Sequence, residues 1–329
     1  MKRLLLLIVL VAVAVTLLQA QRSVPQQTNP NMPTANPGQS VQTGNVPTKE
    51  GEPAAKTPPQ MGANGKPMPQ AKSQDEFKAY QEAASKTTPA DVEAAADAFA
   101  AKFPQSELRV LLYRKAMYDY QNANNADKTV AMAKKIIAID PNNPEALVTF
   151  ATVTAQSTRE TDLDRDERLN EAAADATKAL ETIDSDLLIP ANAPPERVQA
   201  YKQSMRAMAY DALGTVAMVK KDYPTAEINL RKSAELNAQP DPVTWLRLSV
   251  ALDQQKKYPQ ALEAANKAVQ YSADAPQANN LAKMERDRLQ KLITPGGAAT
   301  PASSPAPNSP APSSPSPQPV TPAPKPPQQ

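Results

Sequence analysis

The stretch between residues 73 and 293 has the composition and spacing of a chain of helices. It is rich in Ala, Leu, Lys, Glu and Asp, and it contains no run of alternating apolar and polar residues of the kind that predicts a half-buried strand. Its acidic residues stand among Lys and Arg at helical spacing, as on a solvated helix face. Helix start signals recur, because Thr88-Pro89, Asn143-Pro144 and Asp241-Pro242 each place a proline behind a capping side chain.

The spacing of these start signals sets the number of helices. The connections between them are mostly short, which favours antiparallel packing of neighbouring helices. The sequence predicts about eleven helices, over residues 74–85, 89–103, 106–123, 126–139, 144–156, 166–184, 195–219, 224–237, 242–255, 258–271 and 276–293.

One block of sequence recurs after 35 residues. The pairs that match at this spacing are Leu213 with Leu248, Tyr223 with Tyr258, Pro224 with Pro259 and Ala226 with Ala261. An aromatic residue precedes each leucine, Tyr210 or Trp245, and a small residue follows it, Gly214 or Ser249. A small residue where two helices cross allows close approach, and Ala lets the second helix nest against the next unit. A repeated helix pair built on these positions resembles the tetratricopeptide repeat (TPR).

The resemblance to the TPR family covers about two thirds of the chain. It implies an all-α fold, a right-handed α-solenoid of antiparallel helix pairs. The earlier units match less closely: Met117 replaces the small residue in 106–141, an insertion interrupts 144–184, and 74–104 is degenerate. The expected array has four to five units, closed by helix 276–293 as a polar cap.

In the TPR family, the exposed face of each first helix lines a concave groove that binds a peptide or a partner helix. The resemblance therefore implies a scaffold or adaptor for a protein partner. The positions that correspond to the groove are Arg114, Tyr118, Val148, Thr152, Asp211, Thr215, Met218, Leu246, Val250 and Asp253. In the alternative interpretation, neighbouring helices cover part of this surface. The Lys/Asn clamp that holds a C-terminal carboxylate in some relatives is not expected, because Tyr118 stands where the Asn would be.

The two ends of the chain differ in composition from the middle. Residues 1–20 begin with Met-Lys-Arg and continue with an apolar run, which is typical of a signal peptide cleaved after Ala20 or of an uncleaved N-terminal anchor. Either form predicts export to a periplasmic or other extracytoplasmic location, with membrane contact only through this segment if it stays uncleaved. Residues 21–72 and 294–329 are rich in Pro and poor in large apolar residues, which predicts disordered arms around the folded region 73–293.

Two alternatives stay open at this stage. The chain is either a partner-binding scaffold or a structural spacer and envelope tether whose Pro-rich tail makes the contacts. Within the array, the apolar linker from Asp184 to Pro195 either docks on the solenoid or marks a partner contact.

Composition argues against several chemistries. The chain has no His and no Cys, which removes the commonest general base, all thiol nucleophiles and the usual zinc ligands. Only Gly214 lies in the predicted folded region, so a phosphate-binding glycine loop is not expected. Residues 73–293 hold 28 Lys and Arg against 32 Asp and Glu, a poor balance for binding nucleic acid.

Two local features receive structural interpretations. The run Asp162-Leu-Asp164-Arg-Asp166 lacks the Gly and the Glu that a calcium loop would need at 167 and 173, and it predicts a charged loop before a helix. Trp245 is expected to pack in the core rather than serve as a stacking platform. No metal, cofactor or enzymatic activity is therefore predicted.

Overall fold

The computed structural model describes residues 59–294, which form eleven α-helices and no strand. The predicted all-α fold is confirmed, and each predicted helix end lies within two residues of the observed one. The segments 1–20 and 21–58 and the tail from 295 to 329 lie outside the described residues. The helices are α1 Gln74–Ala84, α2 Pro89–Lys102, α3 Leu108–Asn122, α4 Ala126–Ile139, α5 Pro144–Ser157, α6 Arg165–Asp186, α7 Pro195–Val219, α8 Tyr223–Leu236, α9 Pro242–Gln254, α10 Tyr258–Tyr271 and α11 Pro276–Ile293.

The helices pack as a linear array of consecutive pairs. Each helix contacts the one before and the one after it, as expected for a solenoid of antiparallel helix pairs. We call the odd-numbered helices the first helices of their pairs and the even-numbered helices the second helices. Successive first helices also touch one another, and these contacts are most extensive between α5 and α7.

Capping side chains explain where many helices begin. The Thr88 hydroxyl accepts a hydrogen bond from the Asp91 amide at 3.2 Å, and the Asn143 side chain accepts one from Ala146 at 3.1 Å. Asp241 accepts from the Thr244 amide at 3.1 Å. Each cap satisfies an N–H group that has no partner inside its helix, and a proline follows in the first turn, where no N–H is needed.

The turn between the first and second helix has the same form in three units. Asn124, Lys221 and Lys256 adopt left-handed backbone conformations with φ of 54°, 63° and 60°. The next amide in each turn donates to the carbonyl five residues earlier, at 2.9, 2.9 and 3.0 Å. This hydrogen bond is typical of an α-helix that ends with one residue in the left-handed conformation. Because the three turns are alike, the α3–α4 pair belongs to the same repeat as the two C-terminal pairs.

A second shared contact supports this assignment. The Nζ atoms of Lys135, Lys232 and Lys267 lie 5.1, 5.1 and 4.4 Å from the ring centres of aromatic residues that stand 22 positions earlier. Those rings belong to Tyr113, Tyr210 and Trp245. A lysine above an aromatic face is attracted to the ring, so the second helix caps the aromatic residue of the first helix in each unit.

Gly214 shows why the repeat needs a small residue in the first helix. A Cβ atom at this position would lie 2.6 Å from Cγ of Leu230, which is fully buried on α8. The equivalent Ser249 is buried and donates its hydroxyl to the Ala261 carbonyl at 2.8 Å. The first and second helices therefore cross at very short range in both C-terminal units.

The α6–α7 connection is longer than the repeat requires, and it folds back onto the array. Leu187, Leu188 and Ile189 are buried, and Leu188 joins the core of the N-terminal helices. The linker whose role the sequence left open therefore docks on the solenoid. The first part of α7 extends the same packing, since Tyr201 lies against the linker and reaches α5.

Residues 59–72, which we call the strap, also pack on the array. The sequence predicted that the Pro-rich linker would run to residue 72, but Met68 is 6% exposed within the N-terminal core. Packing on the array therefore includes residues ahead of residue 73. Composition concealed this because the strap holds few apolar residues and binds mainly through polar contacts.

None of the eleven helices in the described part is both long enough and apolar enough to cross a lipid bilayer.

Candidate partner-binding face

The ten residues predicted to line the groove lie on four first helices, α3, α5, α7 and α9, and we call the surface they form the first-helix face. Val148 and Leu246 are fully buried, and Thr215, Val250 and Asp253 are less than a tenth exposed. The other five are partly buried, namely Arg114, Tyr118, Thr152, Asp211 and Met218. Neighbouring helices thus cover much of the predicted groove, as the alternative interpretation expected, and Val148 and Leu246 contribute packing rather than binding surface.

A buried polar cluster ties α3, α5 and α7 together at the N-terminal end of this face. Arg114 Nε lies 2.7 Å from Glu145 Oε2, and the guanidinium stands 5.9 Å from the ring centre of Tyr118. The Tyr201 hydroxyl donates a hydrogen bond to the other oxygen of Glu145. The Arg114 and Glu145 side chains are 11% and 3% exposed, so the pair is largely removed from water.

The electrostatics of this cluster fix its protonation. Burial alone would lower the pKa of Arg114, but the Glu145 carboxylate together with Tyr118 and Tyr201 outweighs this and raises it, so the guanidinium stays charged. Burial raises the pKa of both Tyr118 and Tyr201, and the Glu145 charge raises each further. Both phenols are therefore neutral over the physiological range. Nearby, burial raises the pKa of Tyr80 to about 12.

A second buried pair joins α7 to α9. Arg247 Nη1 lies 3.0 Å from Asp211 Oδ2, and the Thr244 hydroxyl donates to Asp211 Oδ1 at 2.9 Å. Burial raises the pKa of Asp211, and the Arg247 charge only partly offsets this effect. The carboxylate is therefore held in an environment that disfavours its charge.

A third pair joins α9 to α11. Arg288 Nη2 lies 2.7 Å from Asp253 Oδ2 and 3.0 Å from Glu285 Oε1. Burial would lower the pKa of Arg288, but the two carboxylates raise it. The charged residues predicted for the groove are thus paired across junctions between first helices. Arg114 is committed to Glu145 and is not placed to clamp a partner's carboxylate.

The predicted residues that remain are four with uncharged side chains, Thr152, Thr215, Met218 and Val250, which we call the Thr–Met patch. Thr152, Thr215 and Val250 occupy the same position in their units, so they follow one another across α5, α7 and α9. The hydroxyl oxygens of Thr152 and Thr215 are buried and have no hydrogen-bond partner among the described residues. Met218 is half-buried beside them. The patch is apolar and holds two unused hydrogen-bonding groups.

Sequence reasoning missed the residues that form ion pairs and hydrogen bonds with the charged residues of this face. Glu145, Tyr201, Arg247 and Arg288 were not predicted from the sequence to contact the groove residues. Their partners lie 31 to 56 residues away in sequence. No local pattern marks such pairs, because register between first helices decides them.

The remaining local expectations concern Trp245 and the acidic loop. Trp245 is half-buried, packs in the C-terminal cores and lies 6.5 Å from Tyr271 between ring centres. In the loop, Asp162 accepts from the Arg159 amide at 2.8 Å and lies 3.5 Å from Arg168. Among residues 59–294, no group of three or more acidic side chains is placed to hold a metal ion.

Comparison with known proteins adds little beyond the fold. No protein-family model matches the chain, and a search of curated proteins finds no match. The chain is similar to the crystal structure of MamA protein, with 20% identity and a TM-score of 0.35 over 55% of this chain and 86% of that one. It is also similar to the crystal structure of the APC/C hetero-tetramer Cut9-Hcn1, with 17% identity and a TM-score of 0.28 over 68% of this chain and 46% of that one.

Proposed function

We propose that this chain is a non-enzymatic scaffold outside the cytosol that binds an extended segment of a protein partner at the Thr–Met patch. Three ion pairs, two of them largely buried, join successive first helices, which gives the surface a defined shape before binding. A preformed surface loses little conformational freedom on association. The carboxylates of this face are already paired with arginine, which suits a scaffold better than acid–base catalysis.

The two unpaired hydroxyls carry this proposal. A buried polar group without a partner destabilises the folded state by about 1–3 kcal/mol, so a ligand toward which the Thr152 and Thr215 side chains rotate to form hydrogen bonds is favoured. An extended peptide offers free backbone N–H and C=O groups, whereas those of a helix are used internally. The patch therefore suits an extended segment with an apolar side chain that contacts Met218.

The export part of the proposal is supported by residues 1–20 alone. Their basic start, apolar run and Ala20 suit a signal peptide, and the uncleaved form would anchor the chain by its N-terminus. The N-terminal sequence of the mature protein, read after fractionation of cells, distinguishes the forms. A chain beginning at Gln21 supports cleavage, an intact start in the membrane fraction supports the anchor, and an intact start in the cytosol contradicts export.

Binding is tested by comparing two methionine variants of the full chain. Met218→Glu places a charge in the patch, and Met284→Glu makes the same change on α11, where Met284 is 62% exposed. Captured proteins from solubilised envelope are identified, and peptides tiled across them are titrated against each variant. We expect one peptide to bind the parent and Met284→Glu equally and Met218→Glu at least about tenfold more weakly, as for loss of an apolar anchor worth 1.4 kcal/mol or more.

Equal binding by Met218→Glu, with its helix content unchanged by circular dichroism, would contradict the proposed patch. Deletion of residues 295–329 addresses the tether alternative in the same assay. Binding that survives this deletion supports the scaffold, and binding that is lost favours the Pro-rich tail as the contact.

A further inference from the structure

The strap forms a tight turn before it meets the array. The Gly65 amide donates to the Gly62 carbonyl at 3.0 Å, and the Gly62 amide donates to the Lys66 carbonyl at 2.8 Å. Gly65 has φ of +81°, a conformation that glycine adopts without strain. Met61 and Pro67 pair as an isolated antiparallel bridge across the turn. The strap is therefore a shaped peptide, held by its own backbone bonds.

The turn docks on the C-terminal end of α6. The Asn64 side-chain amide donates to the carbonyls of Ser185 and Leu187, both at 2.9 Å, and the Ala63 amide donates to the Ile189 carbonyl at 3.0 Å. The last carbonyls of a helix lack partners inside that helix and need donors from elsewhere. The strap supplies these donors from more than 120 positions away in the sequence.

Charge and shape add to these bonds. Lys66 Nζ lies 2.8 Å from Asp140 Oδ2 and 3.4 Å from Asp186 Oδ1, at the C-terminal ends of α4 and α6. A cation is stabilised at a helix C-terminus by the helix dipole as well as by the carboxylates. Gly62 is needed for fit, because a Cβ atom there would lie 2.5 Å from the Ile189 carbonyl oxygen. Met68 then enters the N-terminal core.

We propose that the surface beneath the strap is a peptide-binding site and that the strap is its ligand, bound in cis. The site recognises four features at alternate positions: a glycine, an asparagine two residues later, a lysine four residues later and a methionine six residues later. Backbone donors and acceptors, a side-chain amide and an ion pair are the contacts by which domains hold peptides. The site shares no residue with the Thr–Met patch.

The test uses the full chain and a labelled peptide of residues 59–72. Gly62→Val/Lys66→Glu in the chain removes the fit and the charge of its own strap. We expect the labelled peptide to bind this variant saturably in fluorescence anisotropy. The parent chain should bind it at least about tenfold more weakly, because a tethered strap acts at millimolar effective concentration. Met61→Glu should behave as the parent, because the bridge of Met61 to Pro67 uses backbone atoms and its side chain is 46% exposed.

Specificity is checked with a labelled peptide that carries the same Gly62→Val/Lys66→Glu changes, which should not bind the variant chain. Three outcomes would overturn the proposal: no binding of the parent peptide to a variant chain of unchanged helix content, equal binding to variant and parent chains, or unfolding of the variant. The last would make the strap part of the core rather than a ligand.

Discussion

The buried Arg114–Glu145 pair gives the sharpest test of how the first helices are held. Glu145→Gln keeps the shape of the side chain and an acceptor for the Tyr201 hydroxyl, but it removes the charge that faces Arg114. Both partners are nearly excluded from water, at 11% and 3% exposure, and their atoms are 2.7 Å apart. The substitution leaves the guanidinium buried without a counter-charge.

The expected loss follows from this burial. Removal of one partner of a buried pair costs about 3–5 kcal/mol, because the charge that remains is uncompensated. The matched control is Glu263→Gln on α10, whose partner Lys267 is also close, at 2.9 Å, but where the Glu263 side chain is 68% exposed. Solvent screens such a helix pair, so the control should lose about 0.3–0.5 kcal/mol. Arg114→Met added to Glu145→Gln should restore most of the loss, since the unpaired charge is gone.

Urea unfolding followed by circular dichroism at fixed pH measures all three variants, with the free energy of unfolding taken from the transition midpoint and slope. The slopes should agree with the parent. A loss for Glu145→Gln no larger than for Glu263→Gln would refute the reasoning, since the pair would then lie in a water-like environment. Failure of Arg114→Met to restore stability would show that Glu145 acts through Tyr201 instead.

Two further predictions concern packing and pH. Gly214→Ala should lower the melting temperature, because overpacking against Leu230 costs about 1–3 kcal/mol and exceeds the roughly 1 kcal/mol that alanine adds in helix propensity. The double variant with Leu230→Ala should lose less stability than the sum of the single changes. A Gly214→Ala variant more stable than the parent would contradict the close crossing of the two helices. Burial raises the pKa of Glu93, but hydrogen bonds from Tyr120 and Lys128, together with the charges of Lys128 and Lys135, outweigh it and lower that pKa. The contribution of Glu93 to stability is therefore present above the unfolded-state pKa of about 4.3 and is lost as pH falls through the lowered value. Urea unfolding at pH 5 and pH 3 should therefore show a smaller acid loss for Glu93→Gln than for the parent, and an equal loss would contradict the assignment.

The fold was predictable because its signals are local. Each helix is delimited within a few residues of sequence by a capping side chain, a proline in the first turn and the cap of the next helix, as at Asn143 and Asp241. The recurrence of Tyr223 and Pro224 after 35 residues then set the unit. Each of these features depends on backbone geometry that no distant residue alters.

Whether the residues of the predicted face are exposed or paired depends on residues distant in the sequence, and this limited the prediction. Arg114 looks available in the sequence because its partner Glu145 belongs to the next unit. The α6–α7 connection before Tyr201 is longer than the repeat requires, so no fixed spacing would locate this residue. The strap was missed for a related reason, since Asn64 and Lys66 contact the ends of helices much later in the chain.

The contacts between units are not equal along the array, and this inequality favours the C-terminal half for partner binding. Between α3 and α7, the first helices share the Arg114–Glu145–Tyr201 cluster, and Lys66 bridges the ends of α4 and α6. Between α7 and α9, the buried Asp211 has a raised pKa, so its charge is held at a cost. In a solenoid, each unit is stabilised only by its neighbours, and α7 and α9 share less contact than α5 and α7, although the Asp211–Arg247 pair joins them. The Thr–Met patch spans this junction, where the proposed partner segment would gain hydrogen bonds with the least disturbance of the array.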